Sequence, residues 1–357
     1  MKILAMYLPQ FHTIPENDKW WGRGYTEWTA VKNAQPLYKD HKEPRIPLGK
    51  NYYDLADETG KVWKWQAELA KKYGVYGFCI YHYWFEGKQL LQKPMEILLK
   101  HPEIDINYCI CWANETWRKN WYTQEKTILI EQTYGEKEAW QEHFNYLKDF
   151  FLDPRYIKIQ NKPVINIYHS QDILKLQEMR ELWDHMAQKI GFSGVYIISG
   201  LTGQGGDNRQ ETVDAQYVFE PGYTLKNRLN TYENIRYIVA TGGKRILNSV
   251  FHTHFVEHIV NAYEIYKHIE DDDIPDNAYP GTFPQWDNTP RTGIGGLSYT
   301  HTSPQIFAKH LKILANKYRN KDFLYINAWN EWGEGAYLEP DEDYKYGFLE
   351  TVREIEQ

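Results

Sequence analysis

Apolar runs alternate with amphipathic segments along most of this chain. Eight runs rich in β-branched and aromatic residues predict buried strands, at residues 3–8, 76–83, 106–112, 163–168, 195–199, 215–219, 279–283 and 323–328. Between these runs, apolar residues recur at helical spacing, over residues 58–73, 92–101, 137–151, 177–190, 255–270, 304–318 and 344–356.

Regular alternation of strands and helices predicts a parallel sheet, and eight such units are the number that closes a barrel. The expected fold class is therefore α/β, a single (β/α)8 TIM barrel with long βα loops and one domain over residues 1–357. A doubly wound open sheet is the alternative, but the Gly-x-Gly-x-x-Gly turn typical of that fold does not follow the first strand. Two segments are longer than a barrel connection needs, residues 9–57 and 220–253.

Polar and aromatic side chains follow almost every predicted strand. Catalytic and binding groups of α/β barrels collect at the carboxyl ends of the strands, and aromatic rings beside hydrogen-bonding groups suit the binding of sugars. The candidate substrate-binding residues are His12, Trp28, His82, Tyr83, Trp84, Trp112, Asn114, Glu115, Glu220, Trp286, Asp287, Arg291, Trp329, Asn330 and Trp332.

Three of these candidates also have a purely structural interpretation. His82 lies inside an aromatic run and suits a core histidine, Glu115 suits a brace to Arg118, and Asp287 suits the start of an Asx turn. The candidate histidines come from separate strands and lack the His-x-His or His-Glu-x-x-His spacing of metal sites. We therefore expect no metal and no cofactor.

The stretch that follows the last predicted strand carries the clearest chemistry. Glu331 and Glu334 are three residues apart, and Gly333 and Gly335 let the backbone bend between and after them. In a continuing strand the two carboxylates would diverge, whereas a turn brings them to one cleft just beyond the strand. This pair is the predicted catalytic pair, and the alternative is a glycine-rich turn with solvated glutamates.

Composition and charge restrict the partners. Aromatic residues make up 16% of the 357 residues, with 14 Trp and 29 Tyr, which is consistent with a cleft that stacks on sugar rings. The net charge of −7 argues against nucleic acid as a partner. The expected partner is an oligosaccharide or polysaccharide substrate, and the pattern does not address the oligomeric state.

Three features of the sequence bear on the cellular location: the N-terminal run, the longest apolar run and the cysteines. The apolar run before Pro9 is too short for a signal peptide, and no run reaches the roughly 18 apolar residues of a membrane span. Cys79, Cys109 and Cys111 are odd in number and fall in predicted strands, so they indicate no disulfide framework. A cytoplasmic protein without a membrane span is the expectation.

Several blocks together resemble a known family. Asn330-Glu-Trp-Gly-Glu-Gly335, followed by Glu339-Pro340, resembles the Asn-Glu-Trp-x-Glu-Gly signature of glycoside hydrolase family 99, and more closely the family 99-like group called WbsX-like. Further blocks similar to the WbsX-like pattern span nearly the whole chain, namely Tyr7-Leu-Pro-Gln-Phe-His12, Trp20-Trp-Gly-Arg-Gly-Tyr-Thr-Glu-Trp28, Gly77-Phe-Cys-Ile-Tyr-His-Tyr-Trp84, Cys111-Trp-Ala-Asn-Glu-Thr116 and Phe283-Pro-Gln-Trp-Asp-Asn-Thr-Pro-Arg291.

The resemblance implies a glycan-active enzyme, with a retaining glycoside hydrolase as the first hypothesis. By position, it implies that Glu331 deprotonates the 2-hydroxyl of the sugar and that Glu334 acts first as acid and then as base, through a 1,2-anhydro sugar. WbsX-like proteins are also associated with the synthesis of bacterial cell-surface polysaccharides, so a glycosyltransferase or transglycosylase is the second hypothesis. A non-catalytic glycan-binding barrel is the third, and it would not require both glutamates.

Overall fold

Eight parallel β-strands, called staves below because the seventh consists of two short segments, form the centre of the fold. The computed structural model describes residues 1–119, 127–207, 209 and 211–355. The staves are buried along most of their length, as their apolar sequences require. In chain order they are β1 (Lys2–Tyr7), β2 (Val75–Phe85), β3 (Asn107–Trp112), β4 (Lys162–Ile167), β5 (Tyr196–Leu201), β6 (Ala215–Val218), β7 (Ala278–Tyr279 and Gly281–Thr282) and β8 (Phe323–Ile326).

Each stave pairs in parallel with the next one along the chain. The seventh completes the ring because its first half pairs with β6 and its second half, beyond Pro280, pairs with β8, which in turn pairs with β1. This topology confirms the predicted TIM barrel. The predicted strand boundaries hold to within a few residues, and β2 runs further than predicted because its end pairs with the antiparallel segment Lys88–Leu90.

Helices follow most of the staves and pack their apolar faces against the barrel. In the helix Lys137–Leu152, for example, Trp140, Phe144, Leu147 and Phe151 are buried at helical spacing. The helices are α1 (Pro15–Trp21), α2 (Glu27–Asn33), α3 (Lys61–Lys72), α4 (Lys93–Lys100), α5 (Lys137–Leu152), α6 (Leu176–Lys189), α7 (Gly222–Asn227), α8 (Thr231–Phe251), α9 (Ala262–Asp271), α10 (Thr289–Thr292), α11 (Pro304–Lys317) and α12 (Gly347–Glu354).

The segment between β6 and β7 differs most from the expectation. Residues 220–253 were predicted as a long loop, but α7 and α8 occupy most of them, and α8 continues through Gly242 and Gly243. The helix predicted over 255–270 starts only at Ala262, because His258–Asn261 pairs in parallel with Leu297–Thr300. Intrinsic helix propensity disfavours glycine, and the adjacent glycines are the reason that a loop was predicted here.

Two further expectations concern the last helix and membrane-spanning helices. The helix predicted over 344–356 begins at Gly347, and its predicted end, Glu356, lies outside the described residues. Within the ranges given above, the structure contains no helix that is both long and apolar enough to cross a membrane.

Candidate active site

A cavity of about 490 Å³ opens at the carboxyl end of the barrel. Its size is typical of small-molecule and sugar sites. All eight staves contribute a residue at or just beyond their carboxyl ends, the position at which TIM barrels build active sites. These residues are Leu8, Tyr81, Tyr83, Ala113, Glu115, Tyr168, Gly203, Phe219, Trp286, Glu331 and Glu334.

A short hairpin beyond β8 presents the two glutamates to this cavity. Asn330–Glu331 pairs antiparallel with Ala336–Tyr337, and Trp332–Glu334 forms the turn between them. Gly335 closes the turn in the left-handed region at φ +57°, a conformation that glycine adopts without a steric cost. Both carboxylates therefore face the same cavity, although they lie on either side of a turn.

Gly333 has a different role from Gly335, because its missing side chain leaves room for a buried carboxylate. A Cβ at Gly333 would lie 1.9 Å from Oε1 of Glu27. Glu27 begins α2 and is fully buried. The backbone of the turn at Gly333 thus packs against the side chain of Glu27. This places the Glu27 carboxylate next to the turn that carries the predicted catalytic pair.

Arg291 connects all three carboxylates. Its Nε and Nη2 atoms donate to Glu27 Oε1 at 2.9 and 2.6 Å, and its Nη1 donates to Glu334 Oε1. Nη2 also lies 3.5 Å from Glu331 Oε2. The guanidinium is buried, and its rigid fork lets one cation hold three acids in fixed positions.

Burial raises the pKa of both members of the pair. Burial, with a further contribution from the charge of Glu334, raises the pKa of Glu331 to about 8, against the opposing effect of Arg291 and a hydrogen bond from Tyr81. Burial also raises the pKa of Glu334, and here the Arg291 guanidinium is the largest opposing influence. Glu331 therefore holds a proton near neutral pH, and Arg291 favours the ionised form of Glu334.

The family described as glycosyltransferase WbsX matches residues 3–352. The chain belongs to the WbsX family. It is 32% identical over 358 residues to uncharacterized proteins named WxcX from two strains of Xanthomonas campestris pv. campestris. The match covers 99% of this chain but 49% of each relative, so the chain spans about half their length.

Solved structures with a similar fold include glycoside hydrolases. A family 99 endo-α-mannosidase from Bacteroides thetaiotaomicron, in complex with bis-tris propane, superimposes with a TM-score of 0.55 at 12% identity, covering 99% of this chain and 95% of the other. A glycoside hydrolase-like protein gives a TM-score of 0.59 at 14% identity, covering 99% and 93%. At these identities the likeness concerns the fold. The resemblance to WbsX-like and family 99-like proteins is confirmed.

Six of the predicted site residues of this WbsX-family chain line the cavity. They are Tyr83, Glu115, Trp286, Arg291, Glu331 and Glu334. Glu115 is half-exposed and its Oε1 lies 3.2 Å from Nε2 of His169, rather than bracing the loop through a contact with Arg118. The structure therefore brings together the predicted catalytic pair, one further carboxylate, two aromatic rings and the guanidinium.

The predicted residues beside the glutamates point into the protein instead of into the cavity. The indoles of Trp329 and Trp332 are buried and donate to Glu339 at 3.1 and 2.6 Å. Glu339 also accepts from Tyr53 at 2.9 Å and from Gln66 at 2.7 Å. These two tryptophans thus anchor the hairpin from behind, and burial raises the pKa of Glu339 to about 7.

Asn330 and Trp28 are likewise part of the framework. Asn330 exchanges hydrogen bonds with the backbone of Leu8, accepting at 2.8 Å and donating at 3.0 Å. Trp28 donates to the carbonyl oxygen of Tyr53 at 2.8 Å and packs against Trp332. Asn330 fixes the hairpin to the end of β1, Trp28 packs against the hairpin through Trp332, and neither lines the cavity.

Three candidates on β2 and β3 lie in the core, namely His82, Trp84 and Trp112. His82 and His143 share a hydrogen bond of 2.9 Å between their Nε2 atoms, and burial lowers the pKa of both imidazoles. Trp84 stacks on His143, and Trp112 donates to the carbonyl oxygen of Trp84 at 3.1 Å. The structural interpretation of His82 as a core histidine thus agrees with its surroundings.

His12, Asn114 and Glu220 bind the loops around the cavity. His12 lies 3.0 Å from the carbonyl oxygen of Pro9, and Asn114 exchanges 2.8 Å hydrogen bonds with the backbone of His169. Glu220 accepts from Oγ1 of Thr224 at 2.7 Å, and burial raises its pKa to about 7. None of the three lines the cavity.

Asp287 supports the turn that carries Glu334. Its backbone N–H donates to the carbonyl oxygen of Glu334 at 2.6 Å, and its carboxylate accepts from the backbone N–H of Thr289 at 3.0 Å, as the Asx interpretation requires. Within the described residues, the group that could hold a metal is Asp287 with His41 and Glu43. His41 already bonds Asp287 at 2.6 Å and Glu43 accepts from Arg45, so all three side chains have partners within the protein.

Sequence reasoning missed the residues that complete the cavity. Glu27 lies within a block that supplied Trp28 as a candidate. Because it falls in the long segment predicted as a loop, far from the glutamates in sequence, nothing indicated its contact with Arg291. The aromatic walls also include residues that had not been selected, namely Trp21, Tyr81, Trp117, Tyr168 and Phe219. Strand-end position was a usable signal for Tyr168 and Phe219.

Proposed function

We propose that this WbsX-family protein is a retaining glycoside hydrolase that cleaves a complex glycan with Glu331 and Glu334 as its catalytic pair. One observation carries the proposal: both carboxylates line one aromatic cavity at the carboxyl end of the barrel. Glycoside cleavage needs two such groups around the scissile bond. Buried carboxyls with raised pKa values suit proton transfer near neutral pH.

In the proposed reaction, Glu331 takes the proton of the sugar's 2-hydroxyl. That oxygen attacks the anomeric carbon, the glycosidic bond breaks, and Glu334 protonates the leaving oxygen to give a 1,2-anhydro sugar. Water then attacks the anomeric carbon as Glu334 removes its proton, the three-membered ring opens, and Glu331 returns its proton to the 2-oxygen. Two inversions give net retention.

Arg291 imposes a condition on these roles. In the free protein it favours ionised Glu334, while Glu331 holds a proton, which is the reverse of what the first step needs. Substrate binding must therefore move the proton from Glu331 to Glu334. A sugar that fills the cavity removes water from around Glu334, and this desolvation raises the pKa of Glu334 and favours its role as the acid.

The test begins with a screen of defined glycans, including α-mannosides because a structural neighbour is an endo-α-mannosidase. Glu334→Gln should lose about 10²–10⁴-fold with a poor leaving group, and should recover with an activated aryl leaving group that needs little protonation. Glu331→Gln should show no such recovery, because its task does not depend on the leaving group. Recovery of Glu331→Gln alone would assign the acid to Glu331 instead.

Two further measurements distinguish this mechanism from others. A 2-deoxy substrate should be inert, because it lacks the internal nucleophile, and turnover at a rate near the parent's would point to an ordinary carboxylate nucleophile. Activity should survive a chelator, because the proposed chemistry uses only carboxylates. Loss on chelation with recovery by a divalent ion would favour a metal-dependent transferase.

A transferase is the second candidate, because the matching family is described as a glycosyltransferase. The same anhydro intermediate could pass to a sugar acceptor instead of water, which would make the protein a transglycosylase. A nucleotide-sugar transferase normally carries an Asp-x-Asp metal motif beside a nucleotide-binding sheet. The acidic run Asp271–Asp273 does not supply such a motif, since Asp271 ends α9 and Asp273 pairs with Lys317 at 3.1 Å. Product analysis with and without nucleotide sugars separates these outcomes.

A further inference from the structure

Helix α8 exposes one apolar face along its whole length. Its opposite face packs on the chain itself, where Tyr237 bonds Nδ1 of His258 at 2.6 Å and Asn248 donates to the carbonyl oxygen of Phe255 at 2.8 Å. The outward side chains are between 40% and 67% exposed, and they are Ile235, Ile238, Val239, Ile246, Leu247 and Val250. A contiguous apolar surface of this kind marks an interaction site.

Two adjacent glycines lie at the centre of this face. Gly242 and Gly243 occur in the middle of a 21-residue helix, where glycine is a poor helix former. A Cβ at either position would meet no atom of this chain within 4 Å. The glycines therefore serve no packing within the chain, and what their lack of a side chain permits is close approach of a backbone from outside it.

The apolar positions mirror one another about the glycine pair. Ile235 lies as far before it as Val250 lies after it, and the same holds for Ile238 with Leu247 and for Val239 with Ile246. At 100° per residue, each mirrored pair lies symmetrically about the outward direction of the helix. When two such helices pack antiparallel about a two-fold axis at the glycines, each apolar position meets an apolar position of the other copy, as an isologous interface requires.

We propose that α8 is a dimer interface, on which a second copy of this chain docks antiparallel, with the two-fold axis at Gly242–Gly243. Each apolar layer then contains one side chain from either end of the face, and the glycines let the two helices approach at the centre. With Tyr232 at one end, the face exposes on the order of 800 Å², the area that each partner contributes to a standard interface.

Charge favours a second copy over a lipid surface. Helices that lie on anionic membranes carry free basic residues beside the apolar face. Here Arg236 pairs with Glu264 and Arg245 pairs with Glu257, so the two flanking cations are neutralised within the chain. The flank of α8 therefore offers no net positive charge at these positions to attract anionic headgroups.

Sedimentation velocity over a concentration series tests the assembly. Wild type should sediment as a dimer, with twice the mass of the 42.6 kDa chain. The double variant Val239→Glu, Ile246→Glu should sediment as a monomer with unchanged circular dichroism, because both side chains are exposed. Leu174→Glu is the matched control, since Leu174 is 90% exposed elsewhere on the surface, and it should remain dimeric.

Cysteine cross-linking tests the orientation. Cys79, Cys109 and Cys111 are buried and give little background. Gly242→Cys should form an intermolecular disulfide, because position 242 faces its own copy across the axis. Val250→Cys should not, because in the antiparallel pair the two copies of position 250 lie about 22 Å apart along the helices, far beyond disulfide reach.

A wild-type monomer at every concentration would overturn the proposal, as would a dimer that persists in the double variant. Equal cross-linking of Gly242→Cys and Val250→Cys would replace the antiparallel pair by a parallel one. Monomers that float with vesicles containing phosphatidylserine, and lose that binding in the double variant, would assign the face to a membrane instead. None of these readouts depends on the proposed glycosidase activity.

Discussion

Gly333 and Glu27 are 306 positions apart in the numbering, yet they share a single space, because a Cβ on Gly333 would lie 1.9 Å from the carboxylate of Glu27. Glu27 in turn receives two hydrogen bonds from Arg291, which also bonds Glu334. The glycine between the two predicted catalytic residues is thus required by a buried charge network, in addition to any flexibility that it gives the turn.

Gly333→Ala should destabilise the protein by about 1–3 kcal/mol, the usual cost of overpacking a filled space. It should also lower activity, because Glu27 and Arg291 must shift. Denaturant unfolding measures the first effect. Gly295→Ala is the control, since a Cβ there meets nothing within 4 Å, and equal stability of the two variants would contradict the close approach.

Arg291→Met should cost about 3–5 kcal/mol of unfolding free energy, because it leaves buried carboxylates without their cation. Adding Glu27→Gln to that variant should recover part of the loss, since one uncompensated charge is removed. Arg118→Met, at an exposed arginine of the same cavity, is the control and should change stability by less than about 0.5 kcal/mol. A double variant no more stable than Arg291→Met would argue against charge as the cause.

The raised pKa of Glu331 predicts how the unfolding free energy of the protein depends on pH. Its pKa is about 8 in the folded protein and 4.5 as its ordinary value. A raised folded pKa contributes stability that is fully present below the ordinary value and is lost as the pH rises through the folded value. Wild type should therefore lose stability relative to Glu331→Gln between about pH 5 and pH 8, by on the order of 2–4 kcal/mol.

Unfolding free energies measured across that pH range provide the check. Glu68→Gln, at an exposed position of α3, supplies the matched control, and its curve should run parallel to that of wild type. If the curve of Glu331→Gln is also parallel to wild type, the carboxyl titrates as it does in the unfolded chain, and burial is not raising its pKa.

Glu339→Gln should destabilise the hairpin that carries the proposed catalytic pair. The amide has one oxygen and one NH₂ group, so in either orientation the NH₂ would face the N–H of one of the indoles, Trp329 or Trp332, and an unsatisfied buried group costs about 1–3 kcal/mol. Because both indoles lose a charged acceptor, the near-ultraviolet circular dichroism should change as well. Glu342→Gln, three residues along and exposed, should leave that spectrum unaltered.

The local pattern of the chain was enough to predict the barrel. Strand-forming runs and helical spacing depend on neighbouring residues, so the eight staves and most of the helices around them could be read from the sequence. Helix α8 was missed because the glycines at its centre, Gly242 and Gly243, are poor helix formers, although apolar residues recur at helical spacing on either side of them. The capping residues and the packing of its other face favour a helix in spite of these glycines.

The sequence by itself determined the glutamate pair and its place beyond the last strand, because a strand, a turn and two carboxylates are local features of 323–335. Only the tertiary structure decided which side chains surround that pair. Trp329 and Trp332 turn inward to Glu339, while Tyr81 and Trp117 form cavity walls. The physical reason is that a side chain's direction depends on which buried partners satisfy its polar atoms, and those partners come from distant parts of the chain.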